Sequence, residues 1–311
     1  MSKKVLIALD LDSELYKRYT HEGAEITIKK PGEVTPLDVA DKEIIVGNIK
    51  PALVADAKKL ELLQLNSAGY DNYVKVVPSH VKLCCCVGAF SPALSEHLLA
   101  MTFSLIRHFH LYRDKQQNKD WSNCGKIISV EGSTIAVFGL GDIGKAYARK
   151  VKALGAKRVI GVKRNLKDKP DYVDEVYTLS DVDKFVGDCD LIANVMPSSP
   201  ETTQFFNEAF FKKMKQGSYF MNVGRGDAVN QEDLISALQH GPLKGAALDV
   251  TTPEPLPKDS PLWECQNLLL TPHVAGWFFL RETVERIVNI SSTNMKNFID
   301  GNLPLKNEIA H

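Results

Sequence analysis

The stretch Thr134-Ile135-Ala136-Val137-Phe138-Gly139-Leu140-Gly141-Asp142-Ile143-Gly144 decides the fold class of this chain. Its first five residues form a short apolar run, typical of a buried parallel strand. The glycines then open a helical pattern with an apolar face of Ile143, Tyr147, Val151 and Leu154. A glycine-rich turn between a strand and a helix binds pyrophosphate at the helix N-terminus. We therefore expect a dinucleotide site with contacts from Gly139, Gly141, Asp142, Ile143 and Gly144.

Short apolar runs alternate with helical patterns along most of the chain, which predicts βα units and parallel sheets. The runs form two series, so we expect two sheets. The predicted fold is α/β, with two Rossmann-like, doubly wound parallel-sheet domains and a cleft between them. The strand candidates are 5–9, 44–46 and 62–65 in the first series, and 134–138, 158–162, 191–195 and 219–223 in the second. Helices are predicted over 95–107, which is apolar around most of its circumference, and over 281–299.

The bulk composition excludes several classes of partner. The chain has 311 residues, and 38 Lys and Arg balance 38 Asp and Glu, so no net field attracts nucleic acid or an anionic membrane. No apolar run approaches the roughly 18 residues of a membrane span, and the run at 5–9 is too short for a signal peptide. The six cysteines include no Cys-x-x-Cys pair, and the run Cys84-Cys85-Cys86 reads as a buried strand in a reducing compartment. We expect a cytoplasmic protein without a metal that acts on a small molecule.

The residues after the second strand of the later series bear on which dinucleotide is bound. An NAD site normally has Asp or Glu about 20 residues after the glycines, where it accepts from the ribose 2′-OH. Here Lys163 and Arg164 occupy that position. Two cations can hold a 2′-phosphate, and Arg164 can do so with two hydrogen bonds. We expect NADP(H) to be preferred, with NAD(H) possible; the alternative is that both cations are a solvated loop pair.

Three motifs resemble those of the D-isomer-specific 2-hydroxyacid dehydrogenase family, in that family's order and spacing. They are Asn222-Val223-Gly224-Arg225-Gly226, Asp249-Val250-Thr251-Thr252-Pro253-Glu254-Pro255 and Thr271-Pro272-His273-Val274-Ala275-Gly276. Reduction of a 2-keto acid needs a cation for the carboxylate, a proton donor at the ketone oxygen and a hydride from the cofactor. The resemblance assigns the first task to Arg225 and the second to His273, with Glu254 orienting the imidazole and favouring its charged form. It also implies cofactor contacts from Pro197, Thr202, Val223 and Asp249.

Asn66-Ser67-Ala68-Gly69-Tyr70-Asp71 resembles the family's substrate loop, where backbone N–H groups meet the substrate carboxylate. The resemblance implies substrate contacts from Ser67, Ala68, Gly69 and Arg225; the alternative is a plain connection between a strand and a turn. It also implies a discontinuous substrate-binding domain, 1–96 and 280–311, around an NAD(P)-binding Rossmann domain, 97–279. The segment 92–107 matches the family's hinge and dimer helix, so a homodimer is expected, with His97 in a structural role.

Within the family, Lys163-Arg164, Ser260-Pro261-Leu262-Trp263 and the histidine motif are most similar to glyoxylate and hydroxypyruvate reductases. The expected activity is the NAD(P)H-dependent reduction of a small 2-keto acid to the D-2-hydroxy acid. A competing hypothesis is a dinucleotide-sensing binding protein, because the same fold and the same catalytic trio resemble those of transcriptional corepressors. Such a protein needs a docking surface or disordered tails, and this chain has few residues outside the enzyme frame.

Overall fold

The computed structural model describes residues 2–276, 278 and 280–310, and the chain divides into two compact units. The first comprises Met1–Phe90 and Phe278–His311, and the second comprises Ser91–Trp277. The chain passes from one unit to the other a few residues before the predicted positions, 96/97 and 279/280. The predicted α/β class with two parallel-sheet units is confirmed.

The first unit is built on a six-stranded sheet. Its strands, numbered along the chain, are β1 (Lys3–Ala8), β2 (Ala24–Lys29), β3 (Ile44–Val46), β4 (Leu62–Gln64), β5 (Lys82–Cys84) and β13 (Glu308–Ile309). Their order in the sheet is β2-β1-β3-β4-β5-β13. The last strand is antiparallel to β5, and the other pairs are parallel.

Apolar side chains cover both faces of this sheet. Leu6 and Leu63 belong to one buried cluster, whereas Val5 and Val46 belong to another, because successive strand residues point to opposite faces. The long C-terminal helix, predicted over 281–299, supplies Val288 and Met295 to the second cluster. The helices of this unit are α1 (Ser13–Tyr16), α2 (Pro36–Val39) and α8 (Arg281–Ile299).

The second unit is built on a fully parallel seven-stranded sheet. Its strands are β6 (Thr134–Phe138), β7 (Arg158–Val162), β8 (Glu175–Tyr177), β9 (Leu191–Asn194), β10 (Ser218–Asn222), β11 (Leu243–Leu248) and β12 (Leu268–Leu270). The order in the sheet is β8-β7-β6-β9-β10-β11-β12. The strand order reverses between β6 and β9, and α/β sheets bind ligands at the carboxyl ends of the strands next to such a point.

Helices pack around this sheet over an aromatic core. The Phe206 ring lies 5.3 Å from that of Phe138 and 4.9 Å from that of Phe220, measured between centroids. The predicted apolar helix begins earlier than expected, at Ser91. The helix after the glycine turn ends at Ala153, so Leu154 is 43% exposed and does not belong to the predicted apolar face. The helices of this unit are α3 (Ser91–Ile106), α4 (Phe109–Gln117), α5 (Asp142–Ala153), α6 (Glu208–Phe211) and α7 (Gln231–Gln239).

The run of three cysteines is only partly strand. The strand ends at Cys84, whereas Cys85 and Cys86 lie in the irregular segment that follows, and all three are buried. Burial raises the pKa of the Cys84 thiol to about 12. A thiol with so high a pKa carries almost no thiolate near neutral pH, so Cys84 is chemically inert.

Of the helices that the structure describes, none is both long and apolar enough to cross a bilayer.

Candidate active site

The glycine turn joins β6 to α5, and its three glycines differ in their surroundings. Gly139 has φ +93°, and a Cβ there would lie 2.9 Å from the backbone nitrogen of Met196. A Cβ on Gly144 would lie 2.1 Å from the carbonyl oxygen of Gly139. No atom lies within 4 Å of the Cβ position of Gly141 among the described residues. The outer glycines thus close the turn, while Gly141 leaves its backbone open to a pyrophosphate, as dinucleotide binding requires.

Lys163 and Arg164 follow β7, and their side chains behave differently. The Lys163 ammonium donates to the carbonyl oxygens of Lys167 and Asp168 and so braces the loop that follows. Arg164 is exposed, and within the described part of the chain its guanidinium has no hydrogen-bond or ion-pair partner. Of the two cations, Arg164 is therefore the one with its donors open to a phosphate.

The loop after β9 is closed by a threonine hydroxyl. Thr202 Oγ1 donates to the Pro197 carbonyl oxygen at 2.8 Å and accepts from the Ser199 backbone nitrogen at 2.8 Å. Thr202 is 6% exposed, so its side chain shapes the loop from within. Because this loop follows β9 and the glycine turn follows β6, the two lie side by side where the strand order reverses.

Two buried asparagines, which the sequence analysis did not single out, connect the loops after β9 and β10. The Asn194 amide donates to Asn222 Oδ1 at 2.9 Å, and its own oxygen accepts from the Met196 backbone nitrogen at 3.1 Å. Asn222 in turn donates to the carbonyl oxygen of Arg225 at 2.9 Å and accepts from the Gly224 backbone nitrogen at 3.0 Å. Asn222 thereby fixes the backbone of Arg225. In the sequence, the signal for these two residues was a polar side chain at the end of an otherwise apolar strand.

Arg225 lies between two glycines that let its loop approach neighbouring backbone closely. A Cβ on Gly224 would lie 2.5 Å from the Met196 carbonyl oxygen, and one on Gly226 would lie 2.0 Å from the Thr251 carbonyl oxygen. Val223, which begins the loop, is 5% exposed. The Arg225 side chain is half-buried, and its Nη1 donates to the carbonyl oxygen of Gly224 at 2.8 Å. The arginine loop is thus packed against the loops after β9 and β11.

His273 and Glu254 form the pair that the motifs predicted. The Nδ1 of His273 lies 2.7 Å from a carboxylate oxygen of Glu254, and the two side chains are 51% and 37% exposed. The other carboxylate oxygen of Glu254 accepts from the Thr251 backbone nitrogen at 3.1 Å. With Nδ1 turned to a carboxylate, Nε2 is the nitrogen left to exchange a proton with a ligand. No group of three His, Cys, Asp or Glu side chains suited to a metal occurs among the described residues.

Asp249 holds the loop that carries His273. The histidine has φ +53°, a conformation uncommon outside glycine. Its backbone nitrogen donates to the Asp249 carbonyl oxygen at 2.7 Å. The Asp249 carboxylate accepts from the backbone nitrogens of Val274 at 2.9 Å and Ala275 at 3.0 Å, and from the Thr271 hydroxyl at 2.7 Å. Asp249 is 2% exposed, so its observed role is to position this loop; the predicted cofactor contact stays a prediction.

His97, on α3, extends this network. Its Nε2 lies 3.2 Å from the Thr271 hydroxyl and 3.7 Å from a carboxylate oxygen of Asp249. Burial lowers the pKa of His97, and the negative charge of Asp249 acts in the opposite direction. These contacts make His97 part of the support of the histidine loop.

In the first unit, the loop after β4 contains Ser67, Ala68 and Gly69. Among the described residues, none of their three backbone N–H groups has an acceptor. Successive open N–H groups are suited to an anion. Binding of a substrate by these residues stays a prediction.

The fold and the strand-end loops define a dinucleotide-binding α/β protein, and comparison with known proteins identifies its family. Residues 99–275 match the profile described as D-isomer specific 2-hydroxyacid dehydrogenase, NAD binding domain. The chain belongs to this family, as its motifs predicted. The matched region includes the glycine turn, Arg225, Glu254 and His273.

Relatives and solved structures agree with this assignment. The mouse glyoxylate reductase/hydroxypyruvate reductase is 31% identical over 237 residues, which are 73% of this chain and 71% of the mouse protein. A family protein from Aeromonas salmonicida subsp. salmonicida is 31% identical over 99% of both chains, with a TM-score of 0.87. The NADPH-dependent glyoxylate/hydroxypyruvate reductase of Sinorhizobium meliloti, solved with NADP and sulfate, is 26% identical over 99% of this chain and 98% of that one, with a TM-score of 0.83.

Proposed function

We propose that this protein reduces a small 2-keto acid of the glyoxylate or hydroxypyruvate type to the D-2-hydroxy acid and prefers NADPH to NADH. The observation that carries the proposal is the 2.7 Å contact between His273 Nδ1 and the Glu254 carboxylate. Both residues lie in loops that follow strands of the sheet that also carries the glycine turn. The substrate class is supported by the mouse and Sinorhizobium meliloti relatives, which are named for those two acids.

The three residues of the trio divide substrate binding and proton transfer between them in this proposal. Arg225 binds the substrate carboxylate and polarises the ketone. His273 donates a proton from Nε2 to the ketone oxygen, while Glu254 keeps the imidazole oriented and stabilises its positive charge. Bound NADPH would supply the hydride to the carbonyl carbon. Proton and hydride together convert the ketone into the hydroxyl of the product.

The preference for NADPH is supported by the open guanidinium of Arg164 after β7. An arginine can bind a 2′-phosphate through two parallel hydrogen bonds, and no acidic residue stands at the strand end to repel it. The Sinorhizobium meliloti relative was solved with NADP. NADH is expected to be a poorer cofactor, since it lacks the phosphate that Arg164 would bind.

A panel of 2-keto acids assayed with NADPH and NADH tests the activity. We expect NADPH oxidation with glyoxylate or hydroxypyruvate, and a loss in kcat of about 10²- to 10⁴-fold in His273→Ala with an unchanged melting temperature, which is the usual size of a proton-transfer contribution. Full activity in His273→Ala would refute the assigned proton donor.

The cofactor preference has a separate test. Arg164→Ala should raise the KM for NADPH about tenfold, because a charge-assisted contact is lost, and leave the KM for NADH unchanged. Lys167→Ala removes an exposed cation from the same loop and is the matched control. If the KM for NADPH does not change in Arg164→Ala, the residues after β7 do not set the preference.

We also propose that the protein is a cytoplasmic homodimer. All six cysteines are free thiols, as is usual for proteins of reducing compartments. Phe103 on α3, Phe109 and Tyr112 on α4, and Trp121 beyond it are 37%, 61%, 37% and 102% exposed. Four exposed aromatic side chains within twenty residues of the chain favour an association surface there. Light scattering should give the mass of a dimer, and Phe109→Asp should reduce it to that of a monomer; a monomeric wild type would exclude this proposal.

A further inference from the structure

Asn48 lies two residues after the end of β3 and is hydrogen-bonded to the loop that follows β4. Its backbone nitrogen donates to Asn66 Oδ1 at 2.8 Å, and its own Oδ1 accepts from the Asn66 backbone nitrogen at 3.0 Å. Its side-chain amide donates to Ser67 Oγ at 3.0 Å. Among the described residues the Asn48 side chain has no other hydrogen-bond partner, so it acts on this loop alone.

Gly47 makes this position of Asn48 possible. It has φ +120°, and a Cβ there would lie 2.2 Å from the Ala8 carbonyl oxygen. Its backbone nitrogen donates to the Gln64 carbonyl oxygen at 2.8 Å. The backbone after β3 is thereby fixed between β1 and β4. This places Asn48 next to the loop that follows β4.

These contacts occupy two carbonyl oxygens of the loop and leave three of its N–H groups open. The Ser67 hydroxyl donates to the Gly69 carbonyl oxygen at 2.6 Å, and the Ser67 carbonyl oxygen accepts from the Cys86 backbone nitrogen at 2.8 Å. The N–H groups of Ser67, Ala68 and Gly69 have no acceptor among the described residues. In this half-buried segment the carbonyl oxygens of Ser67 and Gly69 are occupied while three N–H groups in succession are open, and such a run of N–H groups favours an anion as its missing partner.

We infer that Asn48 is a positioning residue for substrate binding, which holds Asn66–Gly69 in the conformation that presents three N–H groups to the substrate carboxylate. The inference rests on the proposed function, because the anion it assigns to the loop is the carboxylate of the 2-keto acid. Asn48 acts through Ser67: by donating to the serine oxygen, it directs the hydroxyl proton to Gly69.

An aspartate at position 48 would reverse this arrangement. Its carboxylate would still accept from the Asn66 backbone nitrogen, but it cannot donate to the Ser67 hydroxyl. The serine proton would turn to the carboxylate and release the Gly69 carbonyl oxygen. The new negative charge would also lie beside a site that binds an anion. Asn48→Asp should therefore damage substrate binding more than Asn48→Ala, although aspartate matches asparagine in volume.

The test is steady-state kinetics with glyoxylate at saturating NADPH. We expect the KM for glyoxylate to rise at least tenfold in Asn48→Asp and about three- to tenfold in Asn48→Ala, the range for one lost hydrogen bond. The KM for NADPH should stay within about twofold, and the melting temperature within a few degrees, because the loop does not belong to a hydrophobic core. Asn302→Asp, at an exposed position of the same unit, adds the same charge and should change neither KM.

A double-mutant cycle with Ser67→Ala tests whether Asn48 acts through the serine. Coupled residues give non-additive effects, so the KM of Asn48→Ala/Ser67→Ala should be close to that of the worse single variant. Independent effects that multiply would overturn the assigned route.

The remaining outcomes separate this inference from the proposed function. An unchanged KM for glyoxylate in Asn48→Asp, or a common rise of both KM values with a large fall in melting temperature, would overturn the positioning role. If the wild type turns over no 2-keto acid, the proposed function fails instead. Calorimetric titration of the NADPH-loaded protein with oxalate then tests the loop directly: at least tenfold weaker binding to Asn48→Asp supports the inference, and equal binding overturns it.

Discussion

At the scale of single residues, Glu254 determines which ring nitrogen of His273 can exchange a proton with a ligand. Its carboxylate lies 2.7 Å from Nδ1, so the proton on Nδ1 is held in the hydrogen bond to Glu254. Only Nε2 can then exchange a proton with a ligand. The carboxylate also offers a fixed negative charge to the imidazolium. Orientation and charge stabilisation thus come from one side chain.

Glu254→Gln separates these two contributions. The amide oxygen still accepts from Nδ1, but the charge that stabilises the imidazolium is lost. A hydrogen bond to a charged group contributes about 1.5–3 kcal/mol, so kcat for the 2-keto acid should fall about 10- to 100-fold with a smaller change in KM. Steady-state rates measure this, with the exposed Glu264→Gln as control. A variant that keeps its full kcat would show that Glu254 only orients the ring.

The residues proposed to act on a ligand could be named from the sequence, whereas the asparagines that hold their loops could not. Arg225, Glu254 and His273 lie in motifs with a recognisable chemistry. Asn194 and Asn222 support Arg225 through a bond that exists because β9 and β10 are neighbours in the sheet. Asn48 depends in the same way on the pairing of β3 with β4. A single sequence does not contain strand adjacency, so contacts made across strands appear only in the structure.

At the scale of elements, the turn between β6 and α5 makes opposite predictions for two of its glycines. Gly144→Ala places a methyl group 2.1 Å from the Gly139 carbonyl oxygen, which forces the helix away from the strand. Overpacking of this kind costs about 1–3 kcal/mol. Gly141 has φ −83° and open space around its Cβ position, so Gly141→Ala should fold normally and bind NADPH weakly, since the methyl group occupies the path of the pyrophosphate.

Urea unfolding and fluorescence titration with NADPH measure the two effects. The expected pattern is a lower free energy of unfolding for Gly144→Ala, and a raised dissociation constant without loss of stability for Gly141→Ala. Wild-type affinity for NADPH in Gly141→Ala would mean that the dinucleotide does not approach this turn.

Four of the five strands that the sequence analysis missed lie at the edge of a sheet. β2 and β13 are the edges of the first sheet, and β8 and β12 are the edges of the second. Edge strands are covered on fewer sides, so β2, β8 and β13 contain charged or polar residues and lack the continuous apolar runs of β6 or β10. β12 is apolar, but it has only three residues, Leu268–Leu270. The missed β11 is central, but its Gly245-Ala246-Ala247 gives little hydrophobic signal.

At the scale of the whole molecule, one buried and two half-buried histidines tie stability to pH. The first, His97, lies on α3; the second, His108, lies between α3 and α4; and the third, His110, lies on α4. Burial lowers the pKa of each below 6.5; Lys244 and His110 add to this for His108, and the Ser104 carbonyl and Asp114 oppose it for His110. The folded state thus resists protons that the unfolded chain accepts. Stability should be unaffected by these groups above pH 6.5 and should fall as the pH drops from 6.5 towards 5.

Melting temperatures between pH 8 and pH 5 check this expectation. His110→Gln should flatten the decline, because a group that resists protonation is removed. His240→Gln, at an exposed position, should leave the decline unchanged. A melting temperature that is level down to pH 5 would contradict it. Carboxylates such as Glu175, whose pKa its partner Arg158 lowers to about 2, titrate well below this window.

The division of the first unit into 1–90 and 278–311 has a consequence for how the protein is made. One face of its sheet is covered by Val288 and Met295 of α8, which leave the ribosome only after all of residues 91–277. At about 5–20 residues per second, this interval is on the order of ten to forty seconds. During synthesis, the nascent amino-terminal sheet therefore presents an uncovered apolar face, a natural substrate for chaperones that act at the ribosome, while the second unit can complete its own sheet first.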